Sequence, residues 1–275
     1  MSATPTHDAA VERQFSPRAS AYLTSAVHAQ GEDLLQMAAI ARKHPGARLL
    51  DLGTGDGHVS FHVAPHVAEV VAYDLSQSML DVVAGEAARR GLANLRTCRG
   101  KAEALPFGDG EFDLVMSRYS THHWEDPGQA LREACRVLKP GGIAVFADVV
   151  SPGEALLDTW LQTIEVLRDT SHVRDYSAAE WLRMAAEAGL VTQGMTAPAA
   201  AGIHLVGRAH AHAARAGDGA ARHDGHRARA GAPALRHPAR RFVHQRHVDA
   251  GGGASGLVMA SARACACPRG DRHTA

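Results

Sequence analysis

Nine residues hold the clearest chemistry in the chain: Leu50-Asp51-Leu52-Gly53-Thr54-Gly55-Asp56-Gly57-His58. Glycines without Cβ let a backbone turn sharply and come close to a ligand. A helix starting just after such a turn aims its free N–H groups at whatever sits there. A second carboxylate, Asp74, ends the next apolar run, Glu69-Val-Val-Ala-Tyr-Asp74. An ionised carboxylate only accepts hydrogen bonds and can take both hydroxyls of a ribose. Taken singly, Asp51 reads as a partner of its own turn and Asp74 as a helix cap. Together they outweigh those readings. The spacing is G-x-G-x-G, whereas a dinucleotide-binding turn reads G-x-G-x-x-G with a small residue where His58 stands, which argues against a nicotinamide oxidoreductase.

These residues need a frame, and the hydrophobic pattern supplies one. Ala47–Leu52, Glu69–Asp74, Leu95–Arg99, Phe112–Met116 and Ile143–Val149 read as strands. The last is apolar on both faces except at Asp148, as suits a central parallel strand. Between them, helices begin at Ser76, burying Met79, Val82, Val83 and Ala87, and at Asp126-Pro127, a cap followed by proline. Lys139-Pro-Gly-Gly142 stops the latter, and Ser177-Ala-Ala-Glu180 is a capping box opening a helix to about Ala188. Strands joined by helical crossovers predict an α/β fold: a doubly wound, Rossmann-like, mostly parallel sheet with helices on both faces.

Composition divides the 275 residues in two. Residues 1–200 carry 17 Lys and Arg against 25 Asp and Glu, while residues 201–275 carry 12 Arg against 4 Asp. In that tail Ala, Gly, Arg and His make up 52 of 75 residues, too few large apolar groups to offset chain entropy. It also holds nine irregularly spaced histidines and Cys265-Ala-Cys267, without the paired spacing zinc requires, so no metal is expected. The abrupt change near residues 197–202 resembles a GC-rich gene read in a shifted frame; the alternative is a basic, disordered tail. No apolar run approaches the ~18 residues of a membrane span, the start does not read as a secretory signal, and four cysteines do not make a disulfide scaffold. A cytoplasmic protein is expected.

The motifs in order resemble the class I S-adenosylmethionine-dependent methyltransferases, in the branch that includes the ubiquinone/menaquinone C-methyltransferases. The likeness covers roughly residues 10–195. It rests on Asp51-x-Gly53-x-Gly55-x-Gly57, Tyr73-Asp74-x-Ser76-x-x-Met79, Gly100-Lys-Ala-Glu-Ala-Leu-Pro-Phe107, Phe112-Asp-Leu-Val and Arg136-Val-Leu-Lys-Pro-Gly-Gly142. Ala21–His28, Ser117–Trp124 and Leu167–Arg174 add a closer likeness to one bacterial member. The resemblance implies S-adenosyl-L-methionine as cofactor. Gly53, Gly55 and Gly57 would line its methionine and ribose part, Asp51 would anchor the turn and the amino group, and Asp74 would take the ribose hydroxyls. Ser76 or Met79 would border adenine, the Ala102 N–H would meet it, and Ser117 belongs to the same set. Lys101 departs from the pattern, since this position usually holds an Asp or Asn that accepts from adenine and lysine has no acceptor. Either Glu103 substitutes, or backbone and stacking suffice.

The acceptor side is expected in Ser117–Trp124, at the carboxyl edge of the sheet. There His122 or His123 is a candidate base, and Arg118 and Tyr119 are candidates to orient an anionic or hydroxylated substrate. A bland alternative is that the His-His-Trp run only packs the loop. Residues 1–45 are expected to form a helical lid that includes Gln14, Phe15 and Tyr22, residues 46–199 the cofactor domain, and 200–275 a separate tail. The insert Glu154–Val173 is expected to supply the pocket's second face, with Trp160 and Leu161 read as core before substrate contacts. The family fold ends in a sixth and an antiparallel seventh strand. Leu190–Thr196 suits the sixth, and no segment of the tail shows the pattern of a seventh, so a last strand is expected to be lacking. The acidic body disfavours nucleic acid, leaving a small-molecule acceptor, an oligomeric state the sequence does not fix, and a catalytically impaired cofactor binder as the alternative.

Overall fold

Arg48–Leu52 forms β1 and buries four of its five residues, because the strand lies at the middle of the sheet. The computed structural model describes residues 6–15, 31–196 and 255–262. In chain order its elements are α1 (His7–Phe15), α2 (Glu32–Arg42), β1, α3 (His58–Val63), β2 (Glu69–Asp74), α4 (Gln77–Arg89), β3 (Leu95–Arg99) and β4 (Phe112–Arg118). Then come α5 (Pro127–Val137), β5 (Leu138–Val149), α6 (Ala155–Arg168), α7 (Ala178–Glu187), β6 (Leu190–Thr196) and β7 (Ser255–Ala262). The strand order is β3-β2-β1-β4-β5-β7-β6. β1 to β5 are parallel, with Asp51 opposite Ala72 on one side and Met116 on the other. The order reverses between β1 and β4, and a crevice at the carboxyl ends there is where such sheets bind ligands.

Two buried apolar clusters include residues from the sheet. Leu50, Leu52, Tyr73 and Phe146 join Leu131 and Ala134 of α5 and Trp181 and Met184 of α7. Leu49, Val70 and Met116 join Leu34 and Met37 of α2 and Val59 and Val63 of α3. The sheet is thus helix-covered as the doubly wound pattern requires. The expected caps are present: Ser76 Oγ accepts from Met79 N, Asp126 from Gln129 N, and Ser177 and Glu180 form a reciprocal capping box.

The last strand is a correction. β7 runs antiparallel between β5 and β6, pairing Ala144 with Ala260 and Val191 with Ser261. Gly256-Leu-Val-Met-Ala260 is a short continuous apolar run, which becomes a strand once the open edges of β5 and β6 offer it unpaired N–H and C=O groups. It lacks the alternation that marks a half-buried strand. The tail therefore contributes residues 255–262 to the sheet; the suspected frame change and Tyr22 lie outside the described residues. α6 brings a second correction. None of its residues is buried, and Trp160 is 53% and Leu167 79% exposed, so Trp160 is not core. No helix among the described residues is long and apolar enough to cross a membrane.

Candidate active site

The turn after β1 is fastened from both sides. Gly53 N and Thr54 N both donate to the Tyr73 carbonyl at the end of β2, at 2.8 and 2.9 Å. Gly53, Gly55 and Gly57 have φ of 72, 52 and 85°, a region open to glycine and strained for other residues. At Gly53 a Cβ would lie 1.8 Å from Ser120 Oγ, so the loop after β4 packs directly on its main chain. Gly57 has a different task. It caps α3, and a Cβ there would strike Phe61 and Val83.

Asp51 is fully buried. Its Oδ2 accepts from Thr54 Oγ1 and Ser60 Oγ, each at 2.6 Å, and from Ser60 N at 3.0 Å. Its Oδ1 has no partner among the described residues. Burial raises its pKa to about 6, against the lowering effect of those hydrogen bonds. Asp74 Oδ2 accepts from Gly55 N at 2.8 Å and its Oδ1 from Ser76 N at 2.9 Å. Burial raises its pKa too, partly offset by these backbone donors.

A cavity opens above these groups. Gly53, Gly55, Asp74, Ser76, Met79, Ala102, Glu103, Tyr119 and His123 of the expected set line it, whereas Asp51, Gly57, Ser117, Arg118 and His122 do not. Ser117 is wholly buried, being a strand residue between β1 and β5 and not a loop residue. Arg118 is held by Asp33 of α2 at 2.5 Å, and its guanidinium lies 4.4 Å from the Tyr119 ring centre. It thus lies over the ring of Tyr119, which turns at φ 51°. Glu103 Oε1 accepts from Glu125 N and Asp126 N at 3.0 and 3.3 Å, so it ties down the loop before α5. Lys101 is paired with Asp8 at 2.7 Å and Glu125 at 3.2 Å.

The two histidines diverge. His122 is 8% exposed, and its Nδ1 lies 2.7 Å from Asp148 Oδ1. Burial pulls its pKa down, but the Asp148 charge and hydrogen bond prevail and raise it to about 9. His123 faces the cavity, with its Nδ1 3.1 Å from the Ser171 carbonyl. Burial and the neighbouring His122 charge pull its pKa down to about 3. Neither matches the expected imidazole poised near neutrality. The insert after β5 supplies the floor behind this loop, not the cavity wall: Val173 N and Arg174 N donate to the His122 carbonyl at 2.8 and 3.2 Å.

Sequence reasoning named the stretches of this wall but not several of its residues. Tyr73, whose hydroxyl donates to the Lys101 carbonyl at 3.0 Å, lines it with Gly100, Ser120 and Trp124. His7, Asp8 and Val11 of α1 close it from above. Ion pairs Glu12–Arg99 at 2.6 Å and Asp8–Lys101 hold α1 there, and His7 Nε2 lies 2.8 Å from the His123 carbonyl. The unexpected Lys101 thus has a partner in the N-terminal helix.

A family model described as a methyltransferase domain matches residues 50–146. Uncharacterized protein YafE of Escherichia coli strain K12 is 54% identical over 143 residues, covering 52% of this chain and 69% of YafE. The uncharacterized methyltransferase YcgJ of Bacillus subtilis strain 168 is 39% identical over 173 residues, covering 63% of this chain and 68% of its own length. The chain belongs to the class I S-adenosylmethionine-dependent methyltransferases. The crystal structure of YcgJ matches this methyltransferase with a TM-score of 0.61 and 26% identity, over 84% of this chain and 98% of YcgJ. The site suits the family's cofactor. Bare main chain at Gly53 and Gly55 admits a close ligand, Asp74 stands at the wall as an anionic acceptor, and the orphaned Asp51 Oδ1 offers a buried acceptor below the turn.

Proposed function

We propose that this methyltransferase methylates a small molecule by direct in-line displacement at a C, O or N nucleophile, in the cavity between the Gly53–Gly57 turn and the Tyr119–Trp124 loop. The carrying observation is that one cavity joins Gly53, Gly55 and Asp74 to Tyr119 and His123, so cofactor groups and acceptor groups share a wall. S-adenosylmethionine, when bound, supplies a methyl group on a cationic sulfur. Gly53 and Gly55 admit its amino-acid end, Asp74 takes the ribose hydroxyls, and Met79 and Ala102 border the base. Asp51 offsets the positive charge from beneath the turn.

Displacement at a sulfonium methyl depends chiefly on alignment and exclusion of water. α1 and the Trp124 loop provide the exclusion. Tyr119, set by Arg118, and His123, set by the Ser171 carbonyl, provide alignment. With one histidine charged and the other held neutral well below its usual range, the loop positions the acceptor, whose proton passes to solvent before it enters or after the product leaves. Residues 1–200 are net acidic, which disfavours phosphate polymers as acceptors. The test is a methyl-transfer screen over phenols, quinols, amines and carboxylates with wild type and His123→Ala. Turnover on one class, reduced in the variant while cofactor affinity holds, is expected. Turnover on RNA or DNA alone would overturn the reading.

A further inference from the structure

Behind the Thr121–His123 turn, five metal-binding side chains meet in one buried region. One donor atom each from His122, Asp148 and Asp175 lie within 4.8 Å of one another, as do donor atoms of Glu165, His172 and Asp175, so Asp175 joins the two groups. Asp148 and Asp175 are 2% exposed and His122 and His172 are 8% exposed. Two acceptors in this region have no hydrogen-bond partner among the described residues: Asp175 Oδ2, which has His172 Nε2 4.0 Å away, and His172 Nδ1.

The local hydrogen bonds fix what those two atoms are. Gln162 Oε1 accepts from Asp175 N at 3.0 Å, while its amide nitrogen donates to the Asp175 carbonyl at 2.8 Å. The same Oε1 lies 3.0 Å from His172 Nε2, so Nε2 carries the hydrogen and Nδ1 is a bare lone pair. A lone pair and a carboxylate oxygen are therefore buried in the same cluster without a hydrogen-bond donor, a deficit that a cation or a buried water fills. His122 belongs to the neighbouring group, its Nδ1 2.7 Å from Asp148 Oδ1. Asp148 in turn accepts from Thr121 N at 2.8 Å and Val149 N at 2.8 Å, and from Thr121 Oγ1, which fixes its orientation. The His122 and His172 ring centres are 5.7 Å apart, with their ligand atoms in separate groups.

We propose that this region binds one divalent transition-metal ion through Glu165, His172 and Asp175, with the His122–Asp148 pair packed beside it. Mixed imidazole and carboxylate donors suit zinc, cobalt, manganese or ferrous iron over calcium or magnesium. The ion braces the Glu165–Asp175 segment, whose Val173 N and Arg174 N donate to the His122 carbonyl next to His123. It does not depend on the identity of the methyl acceptor.

The full-length chain, stripped with chelator, is titrated with Co²⁺ and followed by visible absorbance, alongside Asp175→Asn and His172→Gln. Circular dichroism and an S-adenosylmethionine titration check that each variant is folded. Expected is one equivalent of Co²⁺ with ligand-field bands in wild type, bound at least about tenfold more weakly in each variant. The tail histidines give a background common to all three proteins. Wild-type uptake no greater than that of the folded variants would overturn the proposal, and so would wild type that shows no ligand-field bands.

Discussion

Replacing Asp51 by asparagine moves stability and cofactor affinity in opposite directions. In the Asp51→Asn variant the side-chain carbonyl can take the place of Oδ2 and accept from Thr54 and Ser60, while the amide NH₂ occupies the side where Oδ1 has no donor. What is lost is the charge. A carboxylate with a pKa of 3.8 when unfolded and about 6 when buried favours the folded state only while protonated. Its contribution is therefore fully present below about pH 4 and is lost as pH rises through 6. At pH 8 the buried charge costs the apo protein about 3 kcal/mol, from ~1.36 kcal/mol for each pH unit between the two values. The neutral amide avoids that cost. Denaturant unfolding of both proteins at pH 4.5, 6 and 8 should show a variant-minus-wild-type difference of about 1 kcal/mol at pH 4.5, where the unfolded carboxylate is already mostly ionised, growing toward about 3 kcal/mol at pH 8. Over the same range wild-type affinity for the cationic cofactor should rise through pH 6, and that of the variant should stay flat and lower. A variant less stable than wild type at pH 8, or a difference independent of pH, would refute the assignment of Asp51 as a buried charge.

Three further outcomes follow from the same geometry. Asp74→Ala removes a charged acceptor from Gly55 N, Ser76 N and the ribose hydroxyls, so calorimetry should find S-adenosylmethionine bound about 10- to 150-fold more weakly, the equivalent of about 1.5–3 kcal/mol; unchanged affinity would remove Asp74 from the site. Gly53→Ala places a Cβ on Ser120 Oγ at a left-handed φ, which should displace the Trp124 loop and lower affinity more than about tenfold, with about 1–2 kcal/mol of backbone strain in the melting curve. Ser177→Ala breaks the α7 capping box and should cost about 0.5–2 kcal/mol of stability while leaving cofactor affinity intact.

Local physics made part of this molecule readable in advance. The turn at Asp51–Gly57 and the acceptor at Asp74 each depend on neighbours within a few residues, and the structure sets seven of the ten residues expected at the cofactor on the cavity wall. The parallel strands and the helix caps were legible for the same reason. Long-range pairing was not. Asp8 and Lys101 meet across the fold, so the sequence showed Lys101 only as a departure from a pattern. Asp148 did stand out, as the one polar residue in an apolar strand, but nothing in the chain order indicated that it would hold His122. β7 was hidden because its pairing edges come from β5 and β6, far from it in sequence. The charge states of His122 and His123, side by side yet pushed in opposite directions, arise from burial and Asp148 and have no local signature.

Calorimetric titration of the full-length chain with S-adenosylmethionine and, separately, with NAD tests the central claim most directly. One saturable site for S-adenosylmethionine and no heat with NAD is the expected result. Saturable binding of NAD with none for S-adenosylmethionine would contradict it.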